Sequence, residues 1–271
     1  MSDRLPEYFQ LQRYNITPED VARLYLRCDS DAIKPRVIVT PVWKVSNFEK
    51  HADSITTVSE GIVYEIEYRG QAITLIRSGM GAPQTGDFIL ALGCTPCSSI
   101  IFTGSVGGLD SSMDVGDLIL TEKSICGDGF SRYLSAEVKT QDCFFQTVEP
   151  DLEMTDAIKN YALEICQRDS IPLHFGNIFS TDSIIAQFFR LDYLVESFDC
   201  IGIEMETSSV FGAAKLVGIR ASAILQVSDV IPKNKSLFSG RTKGDMERRS
   251  LIRERTLAKV ILDSIVSDST S

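Results

Sequence analysis

A chain of 271 residues, 44% hydrophobic and 24% charged, can bury a substantial core and reads as one globular domain over residues 1–271, with residues 1–15 as a possible arm. Its formal charge of -10 argues against nucleic acid or an anionic membrane as partner, because a polyanion is bound by a net basic face. No apolar run approaches the roughly 20 residues that span a bilayer, and no charged-then-apolar leader opens the chain, so a soluble, cytoplasmic protein is expected.

Thr17-Pro18-Glu19-Asp20 is a helix start with proline in the first turn. Arg36 to Thr40 is a short apolar run stopped by Pro41, which predicts a buried strand. Residues Ile62 to Tyr68 and Ala72 to Ile76, joined across Arg69-Gly70-Gln71, read as a hairpin. The loop Ser78 to Pro83 precedes a helix over Gln84 to Leu92, and strand Ser99 to Thr103 runs into the glycine-rich turn Gly104-Ser-Val-Gly-Gly108. Such a turn can offer backbone N–H groups to an anion, but it matches neither the dinucleotide nor the P-loop pattern.

Another strand starts at Leu118, and Leu152, Ile158, Ala162, Leu163 and Cys166 recur at helical spacing. Leu173 to Phe179 is a strand ending at Ser180-Thr-Asp182, followed by a helix over Phe188 to Val195. Gly244 to Val266 reads as one long helix with Leu251, Ile252, Leu257, Val260, Ile261 and Ile265 inward and its arginines and glutamates on a solvated face. Alternating strands and helices of this kind predict an α/β fold.

The seven cysteines are scattered through apolar segments, as in a reducing compartment. Cys94-Thr-Pro-Cys97 follows a helix C-terminus, whereas thiolate activation favours an N-terminus, so burial is its expected role. Two histidines leave almost no room for a triad or a metal cluster; no metal and no cofactor are expected.

The chain is organised around residues 201–229. Ile201-Gly-Ile-Glu204-Met205-Glu206, a helix over Thr207 to Val217, an apolar run Ala221 to Val227 and then Ser228-Asp229 make a strand, a helix and a strand with acids at both strand ends, where ligands of α/β sheets collect. Offsetting a helix dipole or capping a loop are the bland alternatives for these acids.

Five collinear motifs, Gly79-Met-Gly-Ala-Pro83, Gly104-Ser-Val-Gly-Gly108, Gly176-Asn-Ile-Phe-Ser-Thr-Asp182, Glu204-Met-Glu206 and Ser228-Asp229, make residues 35 to 266 resemble the nucleoside phosphorylase family, which includes the hexameric purine nucleoside phosphorylases and the methylthioadenosine/adenosylhomocysteine nucleosidases. The resemblance implies a three-layer α/β/α sandwich around a mixed, partly barrel-like central sheet. It further implies a homo-oligomer, either a homodimer or a hexamer built as a trimer of dimers, that acts on a small-molecule nucleoside in catabolism or salvage, with phosphate as a possible co-substrate. By the same resemblance Glu206 accepts hydrogen bonds from the ribose hydroxyls and Met205 packs on the sugar. Asp229 faces N7 of a purine as general acid, and Arg248, with Arg249 the alternative, assists it. Glu204, Ser105, Gly104, Met80 and Ser228 belong to the substrate motifs, and Ile184 stands where the family has a phenylalanine against the base.

Departures from the family pattern bear on the acceptor. The family's phosphate-binding arginines correspond to Thr40-Pro-Val-Trp-Lys44, Ser59 and Phe102, which leaves Thr40, Lys44 and Ser105 as the phosphate contacts. Phosphorolysis is the family default, and the replaced arginines make hydrolysis the competing reaction. A catalytically inactive nucleoside-binding protein is the alternative from another class.

Overall fold

The computed structural model describes residues 9–135 and 142–267. Among the described residues eleven strands form one mixed sheet: β1 (Arg36–Thr40), β2 (Ser54–Ser59), β3 (Val63–Tyr68), β4 (Gln71–Arg77), β5 (Ser99–Phe102), β6 (Ser105–Gly108), β7 (Leu118–Gly127), β8 (Thr147–Val148), β9 (Leu173–Thr181), β10 (Cys200–Glu204) and β11 (Arg220–Val230). Their spatial order is β2-β3-β4-β1-β5-β11-β6-β10-β9-β7-β8, and a further β11–β7 pairing closes one end on itself. The expected mixed, partly barrel-like sheet is therefore present. The β2 edge was not read from the sequence because Ser54–Ser59 is largely exposed and shows little apolar alternation.

The helices are α1 (Pro18–Leu26), α2 (Ala82–Leu92), α3 (Leu152–Asp169), α4 (Leu191–Phe198), α5 (Thr207–Val217), α6 (Lys243–Ile252) and α7 (Ala258–Ser267). Side chains alternate across a strand, so Val37 and Val39 of β1 join one core, with α1, α2 and α5. Ile38 joins the other, with α3 and α7. That division gives the three layers. Thr17 and Asp20 form the reciprocal cap that starts α1, and of the predicted arm Phe9 and Leu11 pack against the first core; residues 1–8 lie outside the described residues.

The C-terminal segment differs from expectation. It is not one regular helix: a π-turn over Arg253–Leu257 separates α6 from α7. The five-residue spacing from Ile252 to Leu257, both buried, is its trace in the sequence. One extra residue per turn changes which side chains of α6 face inward, so Leu251 is exposed, as are Leu152 and Leu163 of α3. Gly104 to Gly108 also differs, being mostly strand β6, whose backbone pairs with β10 and β11.

One backbone approach fixes the end of β7. A Cβ on Gly127 would lie 2.0 Å from the Phe179 ring and 2.4 Å from the Ser180 carbonyl oxygen. Gly127→Ala is expected to destabilise by about 3 kcal/mol through overpacking, read as a lower urea midpoint with an unchanged slope.

Candidate active site

The end of β10 and the start of α5 are built by one carboxylate. Glu204 accepts from Ser180 Oγ at 2.5 Å, Thr207 Oγ1 at 2.7 Å, and the backbone N–H groups of Glu206 at 2.7 Å and Thr207 at 2.9 Å. The two backbone groups are donors that a helix start otherwise leaves open. Burial raises the Glu204 pKa, and these bonds pull the other way.

That anchoring turns Glu206, the residue before α5, toward the loop at Gly81. The Gly81 N–H donates to Glu206 Oε1 at 2.6 Å, from a glycine at φ 100° that other residues rarely adopt. Burial, reinforced by the neighbouring Glu204 charge, pushes Glu206 up to about 8. A carboxyl so placed is ready to ionise when positive charge develops beside it.

Asp229 lies near the end of β11, in register with Gly107 of β6. Burial raises its pKa, while the Ser228 hydroxyl, which donates to Asp229 Oδ1 at 2.5 Å, and the Arg241 and Arg249 charges act in the opposite sense. The result is a carboxyl above the usual aspartate range, a property useful in a proton donor.

Glu206 and Asp229 line the same cavity of about 230 Å³, together with Met80, Ser105, Gly107, Ile184, Glu204, Met205, Ser228 and Arg249. Nine of the residues singled out in the sequence thus meet at one place, although they come from six separate stretches of chain. Pro41, Val42, Thr181, Gln187, Ile203 and Leu237 complete the walls. Pro41 and Val42 belong to the loop after β1 already marked in the sequence, and Thr181 and Ile203 to quoted motifs; the sequence reading missed Gln187 and Leu237, of which only Gln187, three residues beyond Ile184, had a spacing that could have marked it. A larger groove of about 830 Å³ beside α1 is walled mainly by apolar side chains, and its Asp87 is already engaged by the Tyr25 hydroxyl at 2.7 Å.

Four expectations need correction. Arg248 is not in the cavity: it bonds the Val115 carbonyl and pairs with Asp117 at 2.8 Å. Arg249, the next residue on α6, bonds Ser105 Oγ instead, because the phase of α6 points residue 249 at the barrel end. Gly104 does not line the cavity; its α-carbon faces Pro41 and the Phe102 ring. Thr40 is fully buried at the end of β1 and its hydroxyl has no partner, so it is cut off from the cavity. Lys44 is exposed on the loop beyond.

The positive charge near Ser105 comes from the C-terminal segment. Burial, then the Arg253 and Arg241 charges, lower Arg249 to about 10, and Arg253 stacks 5.0 Å above the Trp43 ring. Phe102, standing where the family has an arginine, is wholly buried, with its ring close beneath Gly104. Among the described residues no group of three or more His, Cys, Asp or Glu could hold a metal ion, and no helix is long and apolar enough to cross a membrane.

The family model described as the phosphorylase superfamily matches residues 37–265. A DeoD-type purine nucleoside phosphorylase of Psychromonas ingrahamii is 28% identical over 224 residues, covering 82% of this chain and 87% of the relative. Among solved structures, uridine phosphorylase from Vibrio fischeri superposes with a TM-score of 0.74 at 21% identity, covering 89% of this chain and 95% of that one. A purine nucleoside phosphorylase from Toxoplasma gondii in complex with immucillin-H gives 0.70 at 19% identity, covering 90% and 94%.

Proposed function

The chain belongs to the phosphorylase superfamily, and from that membership we propose that this enzyme cleaves the N-glycosidic bond of a purine nucleoside, with inorganic phosphate accepting the ribosyl group. The observation that carries the proposal is the shared cavity of Glu206 and Asp229, with Arg249 against Ser105. Cleavage gives the sugar oxocarbenium character and leaves negative charge on the departing base. Glu206, held by Gly81, accepts from the ribose hydroxyls and stabilises the sugar as it becomes cationic, with Met205 beneath the ring. Asp229, whose hold on a proton burial strengthens, donates toward N7 of the base. A pyrimidine offers no N7, so an acid at this position favours a purine.

For the acceptor, Arg249 supplies a guanidinium on Ser105, and Arg253 and Arg241 lie close enough to depress its pKa. Arg249, with the Arg253 and Arg241 charges near it, favours an anion over water, because the like charges repel one another until negative charge is added. Hydrolysis is the second reading, favoured by the exposed Lys44 and the buried Phe102, which leave the anion without the family's own arginines. Incubating the protein with inosine, adenosine and methylthioadenosine, with and without phosphate, separates the two. Base release that requires phosphate and yields a pentose 1-phosphate is expected. Equal release without phosphate makes the enzyme a hydrolase, and saturable binding without turnover overturns the catalytic reading.

The two neighbouring arginines should behave oppositely. Arg249→Met is expected to raise the KM for phosphate by about 10-fold or more, the size of a lost charge-assisted contact. Arg248→Met is expected to leave that KM near the wild-type value and to lower stability by about 2 kcal/mol, since buried Asp117 loses a charged partner. Steady-state kinetics and urea melts on both variants check the assignment, and an exchange of the two phenotypes would return the role to Arg248.

A further inference from the structure

The CxxC pair singled out in the sequence is not the one the fold brings into bonding range. Cys126, next to last in β7, and Cys143, seventeen residues later, have their sulfurs 3.5 Å apart, and both thiols are free. The backbone fixes this approach: the Cys126 N–H donates to the Gln146 carbonyl at 2.9 Å and the Phe145 N–H to the Cys126 carbonyl at 2.7 Å. A turn closed by Gln146 N–H on the Cys143 carbonyl, also at 2.9 Å, folds Cys143 back over β7. We propose that Cys126 and Cys143 form a reversible intramolecular disulfide, a modification site that links thiol redox state to the start of α5 and so to Glu206.

Only about 1.5 Å of closure separates the present contact from a bond of about 2.05 Å. Cys126 is buried and Cys143 is partly open to solvent, so Cys143 reacts first. Its thiolate attacks a low-molecular-weight disulfide such as oxidised glutathione, forming a mixed disulfide and releasing one thiolate. Cys126 then loses its proton and attacks the Cys143 sulfur, which releases the second thiolate. The two cysteine protons end on the two released thiols, and two electrons pass from the pair to the oxidant.

Two contacts carry the change to the cavity. The Cys126 thiol faces Asp128 Oδ2 at 3.5 Å, and the same oxygen accepts from Ser208 Oγ, in the first turn of α5; oxidation removes the thiol donor. On the other side Phe144 and Phe145 pack on the Phe179 ring at centroid distances of 6.3 and 5.9 Å. Phe179 precedes Ser180, which holds Glu204. Drawing residue 143 toward β7 shifts this aromatic pair against the strand that supports the acids.

The test equilibrates the full chain with oxidised glutathione, blocks free thiols without reduction, and maps the peptides. A Cys126–Cys143 link is expected, with the titratable thiols falling from the seven in the sequence to five and returning with dithiothreitol. Cys143→Ser should abolish the link. Seven thiols remaining, or a link between any other pair, overturns the site. The activity arm rests on the proposed nucleoside cleavage: kcat of the linked protein should fall about 3- to 10-fold, a size typical of coupling through packed side chains, and recover on reduction, with Cys143→Ser insensitive to the oxidant. A linked protein with unchanged kcat overturns the coupling. If the chain turns over no nucleoside, peptide mapping still decides the disulfide, so the two failures are distinguishable.

Discussion

Asp229→Asn is expected to lower kcat on inosine by about 10²- to 10³-fold, within the range of a lost general acid, while the KM for nucleoside changes little. Asparagine keeps the shape and can still accept from the Ser228 hydroxyl, which now reaches Asp229 Oδ1 at 2.5 Å. What disappears is the proton. The loss should therefore depend on the leaving group: a ribosyl substrate whose leaving group departs without protonation, such as a nitrophenyl riboside, should be cleaved at close to the wild-type rate. An equal loss on both substrates would show that residue 229 supports the fold of the cavity rather than the departing base.

Glu206→Gln is expected to cost about 10²- to 10³-fold in kcat/KM, comparable to removal of an electrostatic contact in a water-poor site. The amide can still accept from the Gly81 N–H, so the loop stays in place and what is lost is negative charge beside the sugar. The same variant alters stability in a pH-dependent way. Burial and the Glu204 charge raise Glu206 from 4.5 to about 8 in the folded chain, so the folded state holds the proton more tightly than the unfolded state. Its contribution to stability is fully present below about pH 4.5 and is lost as pH rises through about 8. Relative to Glu206→Gln, which does not titrate, the wild type should lose on the order of 4 kcal/mol across that window. Urea melts of both proteins at pH 5 and pH 8 measure it, and parallel profiles would mean that Glu206 is ionised throughout.

How much of this was legible in the residues differs from element to element. β1 and β11 were read correctly as strands because apolar residues fill their sequence windows, and α5 because its small residues run uninterrupted to a glycine at residue 218. The C-terminal segment was misread in phase, since the regular period assumed for it does not hold across the π-turn at Arg253–Leu257. The same phase separates Arg249 from Arg248. Identical side chains at adjacent positions carry no local signal of which one turns inward.

The sequence by itself determined the α/β class, the order of the strand-end motifs and the identity of the two acids, because these depend on residue type and on periodicities set by neighbours a few positions away. Only the tertiary structure decided that Glu206 and Asp229 share a cavity, that Arg249 and not Arg248 reaches Ser105, and that Cys126 meets Cys143. Those are distances between segments far apart along the chain. They follow from which strands pair and how the barrel end closes, an outcome of packing the whole core that no local pattern encodes.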